Sequence, residues 1–350
     1  MRAIIAAMIL FLSLFSSISH AKLFTIDTTG ISDENILNAF AILEDRINGS
    51  FSAPDINIDE YLEGFANTCP MATKGSGADY ASDLSLFGVS VNMIGAAVEM
   101  ENGSFMDLVG GDFEGEFRGA GINMFIFTVG MNLRLLPFEK LGPLNLNRAK
   151  LYLQAGKSNK LTGDDMDFSA QLFSVMFQYK LIDPASVAAG LFKWGGIDFT
   201  TGISSQTQNA MLNLKTPSDP ITSGGAVVNM TSEIEAGIKV ETTSIPFELS
   251  TYGRLFYILR PFVGVGGDLN FGSAKGIAGG SYTVNVTEPV VSSVTASVDL
   301  LGQEKNVDTF NMRWFAGVQL NIFILKIYAI VQESMSRDIM AAQVGFGAVW

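Results

Sequence analysis

The sequence predicts an all-β membrane protein: an antiparallel transmembrane β-barrel of about ten strands, preceded by a short helical segment. Three observations predict it. From about residue 83 onward, apolar residues recur at every second position over long stretches, the period of a strand with one oily face. Behind the N-terminal leader no stretch reaches the roughly 20 apolar residues of a spanning helix; Gly119 to Leu133, between Arg118 and Arg134, is among the longest uncharged runs. Yet 48% of residues are hydrophobic and the mean hydropathy is +0.30. Lipid accepts only helices and closed barrels, because both satisfy every backbone polar group internally. Without the helix, the barrel remains.

The leader comes first. Arg2 gives a positive start, Ala3 to Phe15 an apolar core, and Ser19-His20-Ala21 a small-residue cleavage pattern, which together read as a signal peptide over residues 1–21. Removing it takes Arg2 away and the formal net charge from −13 to −14. Such acidity argues against nucleic acid as a partner. The single Cys69 excludes an internal disulfide framework; it lies beside Pro70 in a region placed outside the barrel and reads as a small buried residue.

Residues 22–82 form an N-terminal periplasmic or plug segment. Ser32 caps a helix carrying Ile36, Leu37, Phe40, Leu43 and Ile47. A second helix spans Ile58 to Thr68, with Tyr61, Leu62 and Phe65 on one face and Pro70 closing it. Short amphipathic helices need a surface to pack on. They could plug the lumen, cover the periplasmic mouth as a lid, or lie on the membrane, with the lid as the plainest reading. Lys74 to Gly77 reads as a flexible link.

The barrel then occupies residues 83–350. Strands are expected at about 84–98, 120–135, 149–157, 168–181, 187–202, 245–257 and 262–271, followed by two that meet at Leu325-Lys326 and a last one ending at Trp350. From Phe310 to Ile324 the apolar set Phe310, Met312, Trp314, Ala316, Val318, Leu320, Ile322 and Ile324 alternates with mostly polar or small residues. The fifth strand changes phase at Gly195-Gly196, which suggests a bulge. Connections at 182–186, 259–261 and 325–326 are tight, while 99–119, 203–243 and 272–309 are long and polar. Outer-membrane barrels show that asymmetry, with short periplasmic turns and long external loops. Alternation inside the long connections reads as hairpins above the membrane, with Ile234 to Val240 pairing with Met211 to Leu214. Inserting them would raise the count to twelve or fourteen.

The chemistry narrows function by exclusion. The only His is His20, in the leader, so the mature chain offers no Ser-His or Asp-His pair and no His-ligated zinc site. No catalytic residue, metal ligand or cofactor site is expected, and the chain is not read as an enzyme. Acidic residues in the loops (Glu99, Glu101, Asp107, Asp112, Glu114, Glu116, Asp164, Asp165 and Asp167) form solvated loops rather than a calcium site. Lumen-facing candidates are Arg134, Lys150, Lys180, Arg254 and Arg313, against Glu248 and Asp268. In a wide barrel they line a weakly anion-selective pore; in one of about ten strands they fill the interior as ion pairs.

The leader, the alternating strands and the terminal aromatic make the chain resemble Gram-negative outer-membrane β-barrel proteins. That resemblance implies residence in the cell outer membrane, with the lipid bilayer and the barrel-assembly machinery as partners. Val344, Phe346 and Trp350 of the last strand resemble the signal that machinery reads. The N-terminal helices resemble the hatch of the long-chain fatty-acid transporter class, although the Asn-Pro-Ala signature of that fourteen-stranded class is absent. Two functions follow: a passive, porin-like channel or transporter for small or hydrophobic solutes with an N-terminal plug, or a structural or adhesion barrel whose long loops bind an extracellular partner.

Overall fold

The computed structural model describes residues 58–75, 78–81, 86–98, 119–158, 166–187, 191–217, 221–223, 226–286, 291–299 and 303–350, together with six helical positions between residues 34 and 45. The leader, most of the helix expected after Ser32 and the acidic residues of the first long connection lie outside the described residues.

Ten strands close on themselves: β1 Phe87–Val98, β2 Ala120–Asn132, β3 Ala149–Ser158, β4 Met166–Ile182, β5 Phe192–Pro217, β6 Ala226–Leu255, β7 Leu259–Val286, β8 Phe310–Ile322, β9 Leu325–Ser334 and β10 Ile339–Val349. Each pairs antiparallel with its sequence neighbours, and β10 returns to β1 with Gly88 opposite Val349. The stagger follows from one turn around the ladder. Val91 faces Phe127, Ala155, Phe173, Ser205, Thr243 and finally Phe271 in one direction. In the other direction it faces Phe346, Ile327, Leu320 and Leu259. Both paths end on β7, displaced by 271 − 259 = 12 residues. Ten strands with that shear tilt by about 40° and enclose a backbone cylinder of about 10 Å radius.

The alternation read from the sequence is the alternation of the wall. β9 is the plainest case: Leu325, Ile327, Ala329 and Val331 are exposed, while Lys326, Tyr328, Ile330 and Gln332 are buried. Phe127, Phe173, Ile327 and Phe346 belong to the same outward apolar band. Exposed aromatics crowd the end with the short turns: Phe192, Trp194, Phe256, Tyr257, Phe323 and Trp350, as membrane–water interfaces favour.

Three strands outgrow the bilayer. Spanning takes about 9–11 residues, whereas β5, β6 and β7 hold 26, 30 and 28. On their outward face the apolar band ends at one ladder row, Gln171–Thr207–Glu241–Ser273. Beyond it β6 continues back to Ala226, paired with β5 as far as Thr231 and with β7 as far as Val228. The expected hairpin pairing is present, with Ile234 opposite Leu214 and Gly237 opposite Met211. These segments extend existing strands; a further strand, Val291–Asp299, pairs with the outer part of β7 alone, so the closed barrel stays at ten.

Two local features differ from expectation. The helix α1, Ile58–Met71, runs past Pro70, which removes only one backbone donor near its end. The short turn between β6 and β7 is Phe256 to Ile258, with Phe256 and Tyr257 at φ 49° and 66°. That is the conformation tight hairpins demand of their central residues.

Candidate functional site

The lumen is occupied. α1 enters at the mouth formed by the long connections, where Asp59 pairs with Lys305 at 2.8 Å and Glu63 with Arg337 at 2.6 Å. The Asn67 Oδ1 accepts from the Asp308 amide at 2.8 Å. At the levels of Gly64 and Thr68 the helix touches the wall. A Cβ on Gly119 would lie 2.4 Å from the Gly64 carbonyl carbon, and one on Gly121 would lie 2.7 Å from the Thr68 oxygen. A helix with side chains is about 10–12 Å across, so a bore of this radius admits one where the wall is reduced to glycine.

Below α1 the chain continues as an irregular strap of turns and bends, described at 72–75 and 78–81, and wall side chains donate to its carbonyl oxygens in succession. Asn123 Nδ2 reaches Ala72 O at 2.9 Å, and Gln332 Nε2 reaches Lys74 O at 2.9 Å. Gln178 Nε2 reaches Asp79 O at 3.3 Å, and Arg260 Nη1 reaches Ala81 O at 2.8 Å. The strap is thus held along its length by groups that satisfy its buried backbone. Beside it lies a polar cavity the size of one water molecule, lined by Ala78, Asp79, Ser90, Thr128, Tyr152 and Lys326.

Charges fasten this arrangement. Arg313, fully buried, pairs with Glu248, donates to Asp268 Oδ2 at 2.9 Å and to Gln332 Oε1 at 3.0 Å, and lies over the Phe315 ring. The strap completes the cluster: Lys74 Nζ is 3.7 Å from Asp268 Oδ1, and the Tyr80 hydroxyl donates to Glu248 Oε2 at 2.7 Å. The Tyr80 ring packs between Phe262 and Phe315. Towards the short-turn end Asp79 pairs with Lys326, while Lys180 reaches Asp198 at 2.7 Å and Gly195 O at 2.8 Å.

Of the lumen-facing candidates, Lys150, Lys180, Glu248, Asp268 and Arg313 are buried inside the wall. Arg254 sits half-buried at the short-turn rim, over the Tyr257 ring. Arg134 is not in the lumen. β2 ends at Asn132, whose Oδ1 accepts from the Arg134 amide and starts a 3-10 turn, leaving Arg134 exposed. Val344 and Phe346 lie on the lipid-facing surface. Trp350 closes the barrel seam, its carbonyl accepting from the amides of Leu86 at 2.8 Å and Phe87 at 3.0 Å.

The sequence reading missed five residues of the site. Asp198 lies beyond the Gly196 bulge, where φ is +79°, so its phase was hidden. Lys326 was placed in a corner but begins β9. Lys74 begins the segment read as a flexible link, and Asp79 and Tyr80 follow it at the end of the N-terminal segment, where no role was read for them. Lys74 is buried, so the link is part of the packed interior. Cys69 is likewise inside the barrel, its Sγ 3.3 Å from Gln208 Oε1.

A family model described as Lsa36-like matches residues 24–350. No curated protein matches. Among solved structures, the transport unit of the autotransporter AIDA-I from Escherichia coli is 7% identical, with a TM-score of 0.33, covering 84% of this chain and 100% of that one. The translocator domain of the autotransporter NalP from Neisseria meningitidis is 12% identical, with a TM-score of 0.29, covering 90% and 98%. The CymD monoaromatic hydrocarbon channel is 7% identical, with a TM-score of 0.27, covering 82% and 98%. At these identities and TM-scores the likeness carries no argument about activity or location.

Proposed function

The chain belongs to the Lsa36-like family; we propose that it works in the outer membrane as a closed β-barrel displaying an interaction surface, rather than as an open channel or an enzyme. The occupied lumen carries this reading. Arg313 and its two carboxylates are 0–1% exposed at the side chain, and four strap carbonyls are bonded to wall side chains. A solute path along the axis would require breaking several buried charge-assisted contacts together, each expensive to leave half-made. The long β5, β6 and β7 support the same reading. They extend past the apolar band as paired strands, where they serve neither lipid contact nor closure of the bore.

The test uses the intact protein in liposomes and on cells. Intact protein should give no swelling with small sugars or amino acids. A variant with β5–β7 shortened at the Gln171–Thr207–Glu241–Ser273 row should fold and stay equally closed, while cells displaying it lose adherence to a cultured cell monolayer. Steady flux through the intact barrel would instead establish the transporter reading.

A further inference from the structure

We propose that the segment preceding Ile58 lies on the same side of the membrane as the long connections, so that the chain N-terminus has passed through its own barrel. The observations are independent of the role proposed above. The order of contacts along the chain fixes its direction. Asp59 and Asn67 meet Lys305 and Asp308 in the long β7–β8 connection, and Glu63 meets Arg337 in the β9–β10 turn at the same mouth. Ala72 meets Asn123, three residues inside β2. Lys74 and Tyr80 meet Asp268 and Glu248 in the middle of the wall. Asp79 and Ala81 meet Lys326 and Arg260, which stand beside the short turns. Residue number therefore increases from the long-connection mouth to the short-turn mouth without a reversal. β1 then starts at the short-turn end, where Phe87 and Trp350 exchange backbone hydrogen bonds.

A chain that enters at one mouth and leaves at the other has its preceding residues outside the first mouth. A cavity of about 510 Å³ lies beside Glu60, Glu63 and Asn67 at the mouth, but the bore below it offers no return path. At the level of α1 the helix backbone touches Gly119 and Gly121 on one side. It also reaches Gln208 of β5 through Cys69 and Asn311 of β8 through Met71. Lower down, the Arg313 cluster and the Tyr80 ring fill the section. A second extended strand would need about 5 Å more of clear width, inside a cylinder of about 10 Å radius that already holds a helix. If short turns are periplasmic, residues 22–57 reach the cell exterior by threading through the barrel, or by being enclosed as it closes. This differs from a lid on the periplasmic mouth, which would leave those residues inside.

Two arms test the topology on the whole protein in intact cells. In the first, epitope tags are inserted one at a time after Asn48, after Gly103 and after Gly142. Antibody should bind the Asn48 and Gly103 tags without permeabilisation, and the Gly142 tag only with it. The second arm needs no insertion: trypsin added to intact cells should cut untagged protein after Arg46, releasing residues 23–46 while the barrel stays resistant. An Asn48 tag reached only together with the Gly142 tag, or cleavage after Arg46 only in permeabilised cells, would overturn the proposal. Each tagged protein is first checked for the heat-dependent gel shift of a closed barrel, so that only folded molecules are compared.

Discussion

Arg313 is the residue on which the interior depends, because its guanidinium serves two carboxylates and an amide at once. A single removal is therefore more damaging than a matched replacement. Glu248→Ala takes one acceptor from Arg313 and also the acceptor of the Tyr80 hydroxyl. Breaking one partner of a buried pair costs roughly 3–5 kcal/mol, and urea unfolding in lipid vesicles should show a loss of that order. The quadruple change Arg313→Met, Lys74→Met, Glu248→Gln and Asp268→Asn removes both cations and both carboxylates together, and should recover most of the stability. If the quadruple variant is as unstable as the single one, the cluster holds the fold by something other than charge pairing.

At the scale of elements, the contact between α1 and the wall depends on side chains that are missing. Gly121→Leu would drive a branched side chain into the Thr68 carbonyl and the Ala72 methyl, since even a Cβ there sits 2.7 and 2.9 Å from them. Overpacking usually costs about 1–3 kcal/mol, and here the helix can relieve it by leaving. Cys69 reports this directly, being the only thiol in the chain and fully buried. Maleimide should leave it untouched in the folded parent and label it in folded Gly121→Leu; continued protection would show that the helix stays despite the clash. The strands were legible because lipid imposes a contrast between faces. β8 shows it, with Phe310, Met312 and Trp314 outward and Asn311, Arg313 and Phe315 inward. Where that contrast fades, the reading fell short. Beyond Glu241 and Ser273 the outward face no longer meets oil, so β5 to β7 looked like polar connections although their ladders continue. The strap was illegible for a related reason. An irregular segment held by wall side chains through its carbonyl oxygens leaves almost no pattern in its own residue types.

For the whole molecule, shear and plug together decide what the barrel could conduct. The wall alone contributes Lys150, Lys180, Arg313 and Lys326 against Asp198, Glu248 and Asp268 among the described lumenal residues. The strap adds one charge of each sign, Lys74 and Asp79. The five-to-two positive excess expected from sequence thus falls to a near balance, because Arg134 and Arg254 lie outside the lumen proper and Asp198 lies within it. Deleting residues 58–81 should open a bore that ten strands with a shear of twelve keep from collapsing. Planar-bilayer recordings of that variant should show conductance absent from the intact protein, with only a slight preference for chloride over potassium. Since each wall carboxylate keeps a wall cation beside it (Arg313 at Glu248 and Asp268, Lys180 at Asp198), little net field remains to select an ion. Strong selectivity of either sign would mean that the pairs rearrange once the strap is gone. An unchanged, silent bilayer would mean that the wall side chains close the bore without help.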